Sequence, residues 1–163
     1  EKEYHASKYI STRQKGDIAE ARIAELITLY GDANLSCYKQ ISDDDGIDIV
    51  VKERKAEKNY YIQVKSRFND DLKNVSGMSV KANTITNSSI IGIVFCLFDT
   101  SKGDLWDYLW LVPAIDFIDM ASKQDSGKRL IFVAGKQRRD SNKWDKYLID
   151  KRDLANQITK LMN

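Results

Sequence analysis

The stretch Gly46–Ser66, GIDIVVKERKAEKNYYIQVKS, decides how the rest of the chain is read. Two apolar, β-branched runs, Ile47 to Lys52 and Tyr60 to Ser66, flank the polar segment Glu53 to Asn59, the pattern of two strands joined by a turn. Each run carries polar residues that a buried strand has no use for: Asp48 in the first, Gln63 and Lys65 in the second. Side chains alternate faces along a strand, so Asp48 projects opposite Ile47 and Ile49, while Gln63 and Lys65 share a face opposite Ile62 and Val64. If the strands pair through their turn, Asp48 comes to lie beside Gln63 and Lys65. A carboxylate, an amide oxygen and the intervening Val64 backbone carbonyl form an oxygen-rich cluster of the kind that binds a hard cation such as Mg²⁺. An ammonium beside such a cluster can orient or activate a water and stabilise charge developing on a phosphate. Those are the parts of a phosphodiester hydrolase.

Working outward, apolar residues at spacings of three and four predict a helix over Gly16–Tyr30 that stops at Gly31. Leu35–Ile41 then makes the first of three strands, so the order is a helix followed by a three-strand meander. Phe68–Ser89 is polar and predicts at most one short strand among loops. Ile90–Phe98 is a continuous apolar run, expected to be a central strand covered on both faces. Tyr108–Val112 and Arg129–Ala134 read as strands, Ala114–Lys123 and Asp150–Met162 as helices. The chain is thus expected to be one α/β (α+β) domain over residues 1–163, since no Pro/Gly/Ser-rich linker divides it and a hydrophobic content of 42% suffices for one core. Residues 1–15 are expected to be a mobile N-terminal segment.

Other chemistries are excluded early. The single histidine, His5, lies in that polar start, which leaves Ser-His and Cys-His catalysis without a base. Cys37 and Cys96 are too few for a disulfide framework and read as reduced, buried thiols. The longest apolar run is far short of a membrane span and the N-terminus lacks a signal-peptide core, so the expected location is the cytoplasm, with no membrane partner.

The combination of Glu20 in the first helix (GDIAEARIAEL), then DGIDIVV, then YIQVKS resembles the restriction-endonuclease-like, or PD-(D/E)xK, nuclease superfamily. The resemblance implies a restriction-endonuclease-like core: helix, three-strand meander, and a mixed central sheet flanked by helices. It further implies that Glu20, Asp48, Gln63 and the Val64 carbonyl surround one or two Mg²⁺ ions, which Mn²⁺ can replace, with Lys65 activating water. No proline precedes Asp48, and Gln63 stands where many members carry glutamate; modified-DNA-directed and resolvase-like members are similar in having glutamine there. The missing charge lowers the expected metal affinity.

The implied partner is DNA. Between Lys128 and Arg152 nine Lys and Arg face three Asp. The densest part, GKQRRDSNKWDK, offers Lys136, Arg138, Arg139, Lys143 and Trp144 either as a phosphate-tracking surface with one stacking residue or as a solvated charged loop. Ser66 either positions a substrate phosphate or simply ends its strand, and Trp106, Tyr108 and Trp110 read as core or a dimer surface. The leading expectation is a Mg²⁺-dependent DNA endonuclease of restriction, phage defence or repair, working as a homodimer or in a larger assembly. A catalytically inactive nucleic-acid-binding module of the same fold, or a protein-interaction domain with a structural polar cluster, are the alternatives.

Overall fold

The computed structural model describes residues 9–42, 46–68, 77–134 and 142–163. The first helix, α1, spans Thr12–Tyr30 and starts four residues earlier than apolar spacing predicts. Its start is fixed by a capping box: Ser11 Oγ accepts from the Gln14 amide at 3.1 Å and the Ser11 amide donates to Gln14 Oε1 at 2.9 Å. Residues 12–15, expected to be mobile, therefore form the first helical turn; residues 1–8 lie outside the described residues.

Ten strands follow among the described residues: β1 Leu35–Lys39, β2 Ile49–Glu53, β3 Asn59–Phe68, β4 Met78–Lys81, β5 Ile91–Asp99, β6 Asp104–Leu105, β7 Tyr108–Pro113, β8 Ser122–Gln124, β9 Arg129–Phe132 and β10 Leu148–Asp150. The large sheet has the order β1-β2-β3-β5-β7-β10, with β6 added beside β5. The β1-β2-β3 meander is antiparallel, β3 and β5 run parallel, and β7 returns antiparallel, so the central sheet is mixed as expected. A second sheet of three strands, β4-β9-β8, lies apart from it.

Strand β5 shows why its sequence is apolar throughout. Val94, Cys96 and Phe98 face a core built with Ala19, Ile23 and Ile27 of α1 and with Leu154, Ala155 and Ile158 of the last helix, Leu154–Met162 (α3). Ile93, Phe95 and Leu97 face a second core, filled by Phe117 of the helix Ala114–Met120 (α2), by Met78, Val80, Leu130 and Phe132 of the small sheet, and by Trp110 and Trp144. A strand covered on both faces loses the period-two alternation.

The helix expected over Ala114–Lys123 ends at Met120, because Ser122–Gln124 pairs with Arg129–Ile131 as a hairpin. Its turn places Asp125, Ser126 and Gly127 all at positive φ, so tertiary pairing overrides helical propensity there. Likewise α3 begins at Leu154, behind a 3-10 turn over Lys151–Asp153. Within the described residues no helix is long and apolar enough to cross a membrane.

Candidate active site

The site begins where β2 stops alongside β3. Their antiparallel ladder runs from Lys52↔Asn59 to Ile49↔Ile62, which sets Asp48 opposite Gln63. The Asp48 amide still donates to the Ile62 carbonyl at 2.9 Å. One step further the backbone partner is gone, and the Asp48 carboxylate takes its place: Oδ2 accepts from the Val64 amide at 2.6 Å. A strand residue directs its N–H and C=O to the same neighbour. The Val64 carbonyl therefore faces the side that β2 has vacated, and Val64 lines a cleft of about 840 Å³ there.

Gln63 is 5% exposed and projects to the small-sheet side. Its Nε2 donates to Thr84 Oγ1 at 3.3 Å, and that hydroxyl donates to the Lys81 carbonyl at 2.7 Å. A hydroxyl has one proton. With it directed at Lys81, the Thr84 oxygen can only accept from Gln63, so the amide must present its NH₂ to Thr84 and its oxygen elsewhere. Gln63 Oε1 is buried with no hydrogen-bond partner among the described residues. Leaving such an acceptor bare costs about 1–3 kcal/mol.

Gly46 lets the chain enter Asp48 beside this pair. It has a φ of +76°, and a Cβ there would lie 2.6 Å from the Thr84 carbonyl oxygen and 2.7 Å from Thr84 Cβ. Only glycine fits both the conformation and the space.

Lys65, two residues beyond Gln63 and on the same face, is half-buried, lines the cleft, and has no ion-pair partner among the described residues. Glu20 reaches the cleft from α1, in line with Thr12, Arg13, Gly16 and Asp17 of the preceding turns. Its Oε2 lies 3.2 Å from Lys39 Nζ of β1. The cleft is thus floored by the end of β2 and the middle of β3, and walled by α1 on one side and by Ser79, Lys81, Thr84 and Arg129 on the other. The structure brings together Glu20, Asp48, Gln63, Val64 and Lys65 around one cavity.

Among solved structures, the chain superposes on a bacterial homing endonuclease, I-Ssp6803I, with a TM-score of 0.54 over 92% of this chain and 93% of that one, at 17% identity. It also aligns with Hjc, a Holliday junction resolvase of the archaeal hyperthermophile Archaeoglobus fulgidus, with a TM-score of 0.46 at 12% identity over 80% of this chain and 97% of that one. The fold of the core is restriction-endonuclease-like. No protein-family model and no curated protein sequence matches the chain.

Of the remaining expected site residues, the described ones Ser66, Lys143 and Trp144 do not line the cleft. Ser66 pairs with Cys96 and shares its face of the sheet, opposite Gln63 and Lys65. Trp144, read as a stacking residue, is 1% exposed and sits between Phe117 and Phe132, at ring distances of 5.6 and 5.3 Å. An indole gains more from filling the second core than from standing in water, so Trp144 is structural. Lys143 is tied down beside it, donating to the Met120 carbonyl with its ammonium 5.2 Å from the Trp144 ring. Lys136, Arg138 and Arg139 lie outside the described residues. Thr84 is the residue that sequence reading missed altogether: it falls in a polar stretch, and nothing local signals that its hydroxyl meets Gln63 across 21 positions.

Proposed function

We propose that this chain is a Mg²⁺-dependent endonuclease that hydrolyses DNA phosphodiester bonds, with Mn²⁺ able to substitute. The observation that carries the reading is that Asp48, Gln63, whose buried Oε1 has no hydrogen-bond partner among the described residues, and Val64, whose carbonyl faces the side β2 vacates, line one cleft together with Lys65.

These donors suit a hard cation: all are oxygens, one is anionic, and one is a buried acceptor without a partner among the described residues. Among the described residues no three His, Cys, Asp or Glu side chains gather into a metal-holding group. The proposed ligand set is Asp48, Gln63 and Val64, with Glu20 available from α1 once Lys39 releases it. When bound, the ion supplies Lewis-acid stabilisation of the scissile phosphate. The protein supplies the rest. Lys65 holds its ammonium where it can orient a water and stabilise charge developing on the phosphate, and the Asp48 carboxylate, pinned by the Val64 amide, keeps the two strand ends in register. Cutting both strands of a duplex needs two such clefts, which favours a homodimer or a larger assembly, in restriction, phage defence or repair.

The test is incubation of the full chain with supercoiled, linear and branched DNA, and with RNA, in Mg²⁺, Mn²⁺ or EDTA. Cutting of DNA that EDTA abolishes, and that Lys65→Ala removes, is the expected result. DNA binding without cutting in either metal favours the inactive binding module instead; neither binding nor cutting leaves the protein-interaction domain.

A further inference from the structure

The small sheet carries a basic row that its packing does not require. Met78, Val80, Leu130 and Phe132 are its inward residues and fill the second core. The alternate residues Ser79, Lys81 and Arg129 therefore lie on the outward face, and all three line the cleft. Lys81 and Arg129 are direct cross-strand partners. Both are exposed, and neither has an ion-pair partner among the described residues; Arg129 Nη1 donates only to Ser79 Oγ, at 3.2 Å. Like charges directly opposite in an antiparallel pair repel and weaken the sheet. Lys81–Arg129 thus costs the β4–β9 pairing some stability and concentrates positive charge on one wall of the cleft.

We propose that the outward face of β4 and β9 is the dock for the sugar–phosphate backbone of the DNA that is cut, with Lys81 and Arg129 each taking a phosphate. The inference rests on the nuclease reading above and names the surface through which that site holds its substrate. A polyanion fits better than a small phosphorylated ligand for two reasons. The row is open and continues onto a third strand through Gln124, the cross-strand partner of Arg129; with strands about 4.8 Å apart it spans roughly 10 Å. Its donors are also exposed, long side chains, which track a backbone, where a small phosphate is usually cradled by enclosed backbone amides. The wall also touches the chemistry directly: the Lys81 carbonyl holds the Thr84 hydroxyl, which orients Gln63. A phosphate on Lys81 is thereby seated beside the proposed metal ligands. On the opposite wall, Arg13 of α1 adds charge of the same sign.

The experiment is fluorescence anisotropy of a labelled duplex in EDTA, where cutting is prevented, titrated with wild type, Lys81→Gln, Arg129→Gln, the double variant and Lys55→Gln over a range of salt. Lys55 sits in the β2–β3 turn at the far end of those strands, and its replacement makes the same change in net charge as either single variant. The expected result is about tenfold weaker binding by the double variant at ~0.1 M salt, with the slope of log K against log salt shallower by about 1.8, while Lys55→Gln binds as wild type does. Thermal melts of the same samples should show the double variant folded, at or slightly above the wild-type Tm, because a repulsion has been removed. Wild-type affinity and slope in the double variant, with wild-type DNA cutting intact, would overturn the dock and leave the nuclease reading standing. Weakening by Lys55→Gln equal to that of Lys81→Gln and of Arg129→Gln would overturn it as well, since net charge alone would then account for the loss. A wild-type chain that neither binds nor cuts DNA overturns both.

Discussion

The two halves of β3 behave as different materials. From Asn59 to Ile62 the strand is paired with β2 on one side, Tyr61 and Ile62 already meet β5 on the other, and Tyr60 and Ile62 are 0% exposed. From Gln63 onward β2 has ended, β5 alone remains, and the sequence turns to Gln63, Lys65 and Ser66. The same backbone thus passes from a strand paired on both sides to the floor of the cleft within one residue. A site here costs little in architecture, because an early-ending neighbour exposes a carbonyl and leaves an amide that the Asp48 carboxylate satisfies.

That contrast can be broken in order of expected effect. Lys65→Ala, in the second half, should lower the cleavage rate by about 10²–10⁴-fold in a single-turnover assay while leaving the melting temperature near wild type. A large loss of Tm would contradict the division. Ile62→Ala, in the first half, should do the opposite: about 2–5 kcal/mol of stability lost on cavity formation, read from urea unfolding, with activity per folded molecule retained.

Thr84→Val tests the hinge between the halves. Without the hydroxyl, the Gln63 amide loses the partner that orients it, and the Mg²⁺ concentration for half-maximal cutting should rise about tenfold, as when a residue behind a metal ligand is removed; Thr84→Ser should restore it. The smallest effect lies far from β3. The Asp150 carboxylate accepts from the Arg152 side chain at 2.7 and 3.0 Å and from its amide at 2.9 Å, and the Arg152 guanidinium, through these bonds, holds its pKa down to about 2 from 3.8. A carboxyl whose pKa is depressed on folding stabilises the fold above its unfolded pKa, and that contribution fades as pH falls toward the folded value. Asp150→Asn should therefore flatten the loss of Tm between about pH 4 and pH 2 and leave cutting at neutral pH unchanged.

Much of this was legible in the chain. The meander, the doubly covered β5 and the alternation that turns Gln63 and Lys65 to one face follow from local periodicity, which is why the floor of the cleft was anticipated at Asp48, Gln63, Val64 and Lys65. What stayed hidden depends on pairing between distant segments. Ser122 and Lys123 read as the tail of a helix until Ile131 and Leu130 claim them, and the opposition of Lys81 and Arg129 comes from the separate pairing of β9 with β4. Trp144 misled for a related reason: cations surround it in sequence, whereas its neighbours in space are Phe117, Phe132 and Tyr147. The charged run located positive charge late in the chain, but the basic wall at the cleft combines residues from β4 and β9 that lie 48 positions apart.

The most direct measurement is single-turnover cutting of supercoiled DNA by Asp48→Asn beside wild type in saturating Mg²⁺. Asparagine keeps an oxygen to accept from the Val64 amide, replaces the other carboxylate oxygen with an NH₂ group and removes the charge. The account predicts an unchanged Tm with cutting reduced to the level of EDTA-treated wild type; a folded Asp48→Asn variant that cuts at the wild-type rate would contradict it.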